Sequence, residues 1–227
     1  MGKLFVVATP IGNLEDITYR AVRILSEVDL IAAEDTRQSK ILLTRYNINT
    51  PLTSYHKFNI RSKTDYIIQL LNAGKNIALI SDAGMPGISD PGYELIRDAI
   101  DQKIGVEPIP GPSAAITALA VSGLPTDEFV FVGFLPKKPG KKRKVLNELF
   151  NQNRTALIYE SPFRIVKTLE EVKNIMGERP VAVCRELTKK FEEIIRGKTS
   201  EVLELLKDRK IKGEIVLVIG GTKSDED

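Results

Sequence analysis

The stretch "NIALISDAGMPGISDPGYELIRDAI", residues 76–100, decides the fold. "NIALI" (76–80) is a short apolar run with strand character, and "YELIRDAI" (93–100) has the spacing of a helix. Between them "SDAGMPGISDPG" (81–92) packs three glycines, two prolines and two Ser-Asp pairs into twelve residues. Glycine lets a backbone approach a ligand closely, and proline holds a loop at little entropic cost. Such a loop at the end of a strand is where an open α/β sheet binds its ligand.

Working outward, the same alternation recurs. Strands are expected at 3–8, 29–34, 52–55, 76–80 and 105–109, with amphipathic helices between them. "ITYRAVRILSEV" puts Ala21, Ile24, Leu25 and Val28 on one face. "RSKTDYIIQLLNAGK" does the same with Tyr66, Ile67, Leu70 and Leu71 and stops at Gly74. This pattern predicts a mostly parallel sheet with helices on its faces. The proline-rich "PIPGPSAA" (108–115) leads into a small-residue helix, and two α/β domains are expected, 1–112 and 113–227. The second half restarts with strands at 128–134, 155–160, 180–187, 191–197 and 213–220 and helices near 141–152, 162–176 and 199–208. Only "TKK" separates two of those strands, which suits a hairpin and makes the second sheet mixed.

Composition narrows the field. Of 227 residues 42% are apolar, enough for packed cores. A single Cys (Cys184) and a single His (His56) exclude a disulfide framework and a Cys/His zinc cluster, and no metal is expected. A reducing, cytoplasmic setting fits. The opening "MGKLFVVATPIG" has too short an apolar run for a signal peptide, and no stretch suits a membrane span. A G-x-G-x-x-G dinucleotide fingerprint is missing. Net charge is only +3, but "KKPGKKRK" (137–144) concentrates six cations. Around a flexible Pro-Gly they favour contact with phosphate over a merely solvated surface.

Four loops fall at carboxyl ends of strands: "TPIGNLEDIT", "EDTRQS", "SDAGMPGISDPG" and "PIPGPSAA". Together they predict a shared ligand cleft. Within them Glu34, Asp35 and Asp16 are the candidate general bases, and Arg20 and Arg37 the candidate phosphate contacts. Asp35 is equally readable as a helix cap, and Asp90, before Pro91, reads better as a cap than as a ligand group. His56 reads as a loop residue and Cys184 as core.

The motifs "ATPIGNLEDITYRA", "AAEDTR", "SDAGMPGISDPG", "PIPGPSA", "GFLPKK" and "YESPFR", spread over about residues 3–220, closely resemble the bacterial small-subunit ribosomal RNA 2'-O-ribose methyltransferases of the tetrapyrrole-methylase superfamily. The resemblance implies two α/β domains with S-adenosylmethionine (SAM) in the cleft between them. It also implies a homodimer that methylates a cytidine ribose in the decoding centre of 16S rRNA, in the small ribosomal subunit. By that resemblance Ser81, Asp82, Ala83, Gly84 and Met85 line the cofactor, with Asp82 its polar anchor. Pro10, Ser113 and Ala114 border the same pocket, and Tyr159, Leu187, Gly213 and Glu214 close over it. Lys137, Lys138, Lys141, Lys142, Arg143 and Lys144 are the expected RNA contacts, and Phe134, Tyr159 and Phe163 candidates to stack a flipped-out base. Two alternatives stand beside this reading: a methylase of the same fold acting on a small molecule such as a corrin precursor, and a non-catalytic RNA-binding assembly factor.

Overall fold

A computed structural model describes residues 1–222. The chain divides into two compact units, Met1–Ser113 and Ala114–Asp227.

In the first unit five strands, β1 (Lys3–Val7), β2 (Leu30–Ala33), β3 (Leu52–Ser54), β4 (Ile77–Ile80) and β5 (Gly105–Ile109), form one sheet in the order β3-β2-β4-β1-β5. Every pairing is parallel. Parallel strands need crossover helices, so the central strands are covered on both faces and are apolar at every position except Lys3 at the start of β1. The period of two sorts them: Ala78 and Ile80 of β4, with Phe5 and Val7, meet Ala21, Ile24 and Leu25 of α1 (Tyr19–Glu27) and Leu43 of α2 (Thr36–Arg45). Ile77 and Leu79, with Leu4, meet Ile67, Ile68 and Leu71 of α3 (Ile60–Asn72) and Leu95 and Ala99 of α4 (Tyr93–Asp101). Each fully buried Leu or Ile contributes roughly 1.5–3 kcal/mol. Thr18 caps α1, its hydroxyl accepting from the Ala21 N–H at 3.1 Å. Gly74, at φ +88°, ends α3 as its position suggests.

In the second unit β6 (Phe129–Phe134), β7 (Thr155–Glu160), β8 (Pro180–Arg185), β9 (Glu193–Lys198) and β10 (Ile215–Ile219) run in the order β6-β7-β10-β8-β9. Only β6 and β7 are parallel, so the sheet is mixed, and β8 and β9 form the expected hairpin. One face carries α6 (Pro139–Phe150), α7 (Ile165–Met176) and α8 (Thr199–Leu206). α5 (Ala114–Ser122) packs against β7, β8 and β10. Cys184 is fully buried beside α5, and burial pushes its thiol up to about 11, so it is a core residue and no nucleophile at neutral pH.

Four details depart from the sequence reading. Asp90 is not the N-cap of α4: the helix begins at Tyr93, as the run 93–100 suggests, and its N-cap is Gly92 at φ +153°, where a Cβ would come within 2.9 Å of the Gly87 nitrogen. Tyr66 faces outward, because the buried face of α3 runs through Thr64, Ile67, Ile68 and Leu71. The β8–β9 connection is longer than "TKK", since Glu186 and Thr188 adopt φ of +51° and +64° and leave the ladder. The Pro-Gly of the basic run is not a flexible loop; it opens α6, with Pro139 as first helical residue.

Candidate active site

The strand order of the first unit fixes where its ligand crevice lies. β1 and β4 are neighbours, yet β1 leads across β4 to β2 while β4 leads across β1 to β5. Their connections therefore diverge, and the crevice opens at their carboxyl ends. There Thr9 and Gly84 bridge the two loops with a pair of backbone hydrogen bonds, each 3.0 Å. The Thr9 hydroxyl donates to the Ser81 carbonyl at 3.0 Å. Gly84 needs its φ of +79° to make this bridge, which is why a glycine stands there. Ser81 is buried, its hydroxyl directed to carbonyls of its own loop, whereas Asp82 is exposed and Ala83 and Met85 half-buried. Pro10 is buried next to the bridge.

One strand further, Ala33 of β2 pairs with Ile80 of β4, so Glu34 and Asp35 leave the sheet beside Ser81 and Asp82. The Asp35 N–H donates to Asp82 Oδ1 at 2.9 Å, and the Asp82 backbone favours the ionised Glu34 carboxylate beside it. Glu34 is half-buried; desolvation first, and the Asp82 charge second, push its carboxyl above the usual range. Asp82 is raised too, again chiefly by desolvation. Asp35 differs. It caps α2 by accepting from the Arg37 N–H at 2.8 Å, and it takes the Arg37 guanidinium at 2.7 and 3.1 Å. Those bonds hold its carboxyl down to about 2. Of the two readings left open for Asp35, general base and helix cap, the cap describes what its carboxylate does here. Asp16 closes a 3-10 turn (Leu14–Asp16), and Arg20 lies in the first turn of α1; both are exposed, and neither is joined to the carboxylate cluster by a hydrogen bond or ion pair. Among the described residues no group of three or more His, Cys, Asp or Glu is placed to hold a metal ion.

At the start of the second unit Ala114 is the first residue of α5, and both it and Ser113 are half-buried. Tyr159 on β7 is half-buried in edge-to-face contact with Phe131 and Phe134. Leu187 is buried. Gly213 sits at φ +91°, and a Cβ there would come within 2.4 Å of the Glu186 side chain. The Glu214 N–H donates to that same Glu186 carboxylate at 2.9 Å, and the Glu214 carboxylate pairs with Lys189 at 2.7 Å.

The basic run needs one correction. Lys137, Lys138, Lys141, Arg143 and Lys144 are exposed, but Lys142 is only 5% exposed and is not available to RNA. Its ammonium donates to Thr168 Oγ1 at 2.8 Å and pairs with Glu171 at 3.2 Å. The Thr168 hydroxyl donates to Glu160 Oε2 at 2.7 Å, and Arg164 reaches Glu160 Oε1 at 3.4 Å and the Leu135 and Pro136 carbonyls. This buried network ties "GFLPKK" to "YESPFR". The signal was present in the sequence: Lys142 shares the i, i+4, i+7 face of α6 with Leu146 and Leu149, both core residues. Phe163 and Phe134 are exposed.

An open parallel sheet with a carboxylate-bearing crevice at its switch point defines the class as an α/β ligand-binding domain joined to a second α/β unit. The chain belongs to the family Tetrapyrrole (Corrin/Porphyrin) Methylases, whose model matches residues 3–203. It is 51% identical to the Ribosomal RNA small subunit methyltransferase I of Halalkalibacterium halodurans, over 97% of this chain and 76% of that one. It is 48% identical to the protein of the same name from Thermotoga maritima, over 97% of this chain and 99% of that one. Among solved structures, uroporphyrin-III C-methyltransferase from Thermus thermophilus, complexed with S-adenyl homocysteine, shares the fold at a TM-score of 0.68 and 17% identity, covering 96% of this chain and 97% of that one. Among the described residues no helix is long and apolar enough to cross a membrane.

Proposed function

We propose that this protein is a SAM-dependent methyltransferase that modifies the 2'-hydroxyl of a cytidine ribose in the decoding centre of 16S ribosomal RNA. It acts on the small ribosomal subunit, in the cytoplasm, as a homodimer. Family membership and relatives near 50% identity named as small-subunit ribosomal RNA methyltransferases support the substrate class. The observation that carries the chemistry is the half-buried Glu34 carboxylate, raised in pKa, beside Asp82 at the crevice of the first unit.

The loop Ser81–Met85 fits SAM. Gly84 is buried with its N–H and carbonyl bonded to Thr9, and a Cβ there would make only ordinary contacts, 3.6 Å to Ile11 Cγ2 and 3.7 Å to the Pro112 carbonyl, so the loop presents little side chain at that point. Asp82 offers an exposed anionic side chain next to it. When bound, SAM supplies an electrophilic methyl group on a sulfonium, whose departure as a neutral thioether calls for no acid. Asp82 anchors the cofactor and Pro10, Ser81, Ala83, Gly84 and Met85 shape its bed. For Ser113, Ala114, Tyr159, Leu187, Gly213 and Glu214 the cofactor role rests on the resemblance.

Glu34 accepts the ribose 2'-hydroxyl proton as the oxygen attacks the methyl carbon. Burial and the Asp82 charge bring its pKa closer to working pH, where a general base is most effective. Asp35, held near 2 by Arg37, is too weak a base for this task. Arg20, Arg37, Lys137, Lys138, Lys141, Arg143 and Lys144 contact RNA phosphates and release counterions. The test is incubation with methyl-labelled SAM and small ribosomal subunits, followed by nucleoside mapping. Label on a 2'-O-methylcytidine of the rRNA is the expected result. Label transferred only to a corrin precursor supports the small-molecule methylase, and SAM binding without transfer supports the assembly factor.

A further inference from the structure

We propose that the turn His56–Asn59, which follows β3, is a docking platform for an unpaired nucleotide of the RNA substrate, with Phe58 as its stacking surface and Lys57 as its phosphate contact. The inference rests on the RNA-methyltransferase reading above and concerns the same end of the first sheet.

Position comes first. Ser54 of β3 pairs with Ala33 of β2, and the Tyr55 N–H donates to the Ala33 carbonyl at 2.7 Å. The chain therefore leaves the sheet beside Glu34. A nucleotide held on this turn lies at the edge of the sheet that carries the candidate base.

The turn is also rigid. Asn59 Oδ1 accepts from the His56 N–H at 2.8 Å, and the Asn59 N–H returns a bond to the His56 carbonyl at 2.8 Å. The Asn59 amide donates to the Ser54 carbonyl at 3.3 Å and its hydroxyl at 3.1 Å. On one side Tyr55 is fully buried, its hydroxyl 3.0 Å from Thr64 Oγ1; on the other α3 begins. A turn bolted at both ends nonetheless holds Phe58 84% exposed. The aromatic contacts that the ring makes are an edge contact with His56, centroids 6.0 Å apart, and the Lys57 ammonium 4.9 Å from its centre. A large apolar ring fixed in water loses nothing by stacking on a base and has no packing role to forfeit.

Charge selects the occupant. Residues 57–63, "KFNIRSK", hold three cations and no acid. Lys57 and Arg61 are exposed, while Lys63 is drawn to Thr53 Oγ1 at 2.7 Å. An aromatic face flanked by cations is the pattern that binds single-stranded nucleic acid.

The experiment compares wild type, Phe58→Ala, Phe58→Trp and Lys57→Ala. Binding to small ribosomal subunits and to a short single-stranded RNA carrying a fluorescent base is measured across a salt series, with SAM affinity, methyl transfer and sedimentation in parallel. Phe58→Ala should weaken RNA binding and raise KM roughly 5- to 150-fold, with SAM affinity and sedimentation unchanged, and Phe58→Trp should restore both. Lys57→Ala should lower the slope of log K against log salt by roughly 0.7–0.9. Unchanged RNA affinity in Phe58→Ala, while wild type methylates the subunit, overturns the platform and leaves the function standing. A change in sedimentation with unchanged RNA affinity makes Phe58 a contact between copies of the chain and also overturns it. Wild type that neither binds nor methylates the subunit removes the function and the platform together.

Discussion

The backbone N–H of Asp35 donates to the Asp82 carboxylate at 2.9 Å, beside the neighbouring Glu34 carboxylate, which the Asp82 backbone favours in its ionised form. Two loops that are 47 residues apart in sequence are latched by this bond. Desolvation raises both carboxyls; the Asp82 charge raises Glu34 further, and the Asp35 charge raises Asp82.

Asp82→Ala should reduce SAM affinity by about 1–3 kcal/mol, roughly 5- to 150-fold, because the proposed charged anchor of the cofactor is lost. Asp82→Asn keeps an oxygen for the Asp35 N–H and isolates the loss of charge. Calorimetry on both variants reads the difference. SAM bound by a folded Asp82→Ala protein as tightly as by wild type would remove Asp82 from the cofactor site.

Glu34→Gln should lower kcat by roughly 10²–10⁴ while leaving SAM affinity in place. The base works only when ionised, and its pKa is raised above 4.5, so the acid limb of the rate profile should lie above that value. Asp82→Asn removes the second cause of the rise and should move the limb downward. Stability runs the other way. A carboxyl raised in the folded state stabilises the fold at low pH, and that contribution is lost as pH rises through the folded value. Glu34→Gln should therefore be no less stable than wild type at neutral pH, which urea titration checks.

The parallel sheet was legible because β1, β2 and β4 are apolar at almost every position and separated by amphipathic stretches; Ile77 to Ile80 can only be a strand covered on both faces. The loop at 81–92 was legible through its glycines. Helix α2 was harder, because "TRQSKILLTR" buries only Ser39, Leu42 and Leu43, too few for a clear period. Lys142 and Asp90 were misread for one reason: a residue's type suggested solvent or a cap, and packing decided otherwise. The latch between Asp35 and Asp82 had no local signal, since it depends on the register of β2 against β4, which pattern alone does not set.

Asp35→Asn should lower stability above about pH 4 and make no difference in strong acid. The wild-type carboxyl falls from 3.8 to about 2 on folding, so its stabilising effect is complete above about 4 and lost as pH drops toward 2. Asparagine can still cap α2 but cannot pair with Arg37. Denaturation midpoints from pH 2 to 7 should show wild type more stable above about 4, the gap closing toward 2. A gap that persists unchanged to the lowest pH would mean that the ion pair is not its source.

The basic helix separates packing from recognition within four consecutive residues. Lys142→Ala leaves Glu171 buried beside a lost ammonium and Thr168 without its donor, and should destabilise the fold by about 3–5 kcal/mol. It should barely alter the salt dependence of RNA binding, because that charge never meets phosphate. Lys141→Ala, Arg143→Ala and Lys144→Ala together touch only exposed side chains. They should leave the denaturation midpoint nearly unmoved and lower the slope of log K against log salt by roughly 0.7–0.9 for each phosphate contact removed. The two variants thus predict opposite pairs of results from the same two measurements. Parallel salt lines for wild type and the triple variant would make the exposed cations a solvated surface and would shift the proposed substrate from RNA toward a small molecule.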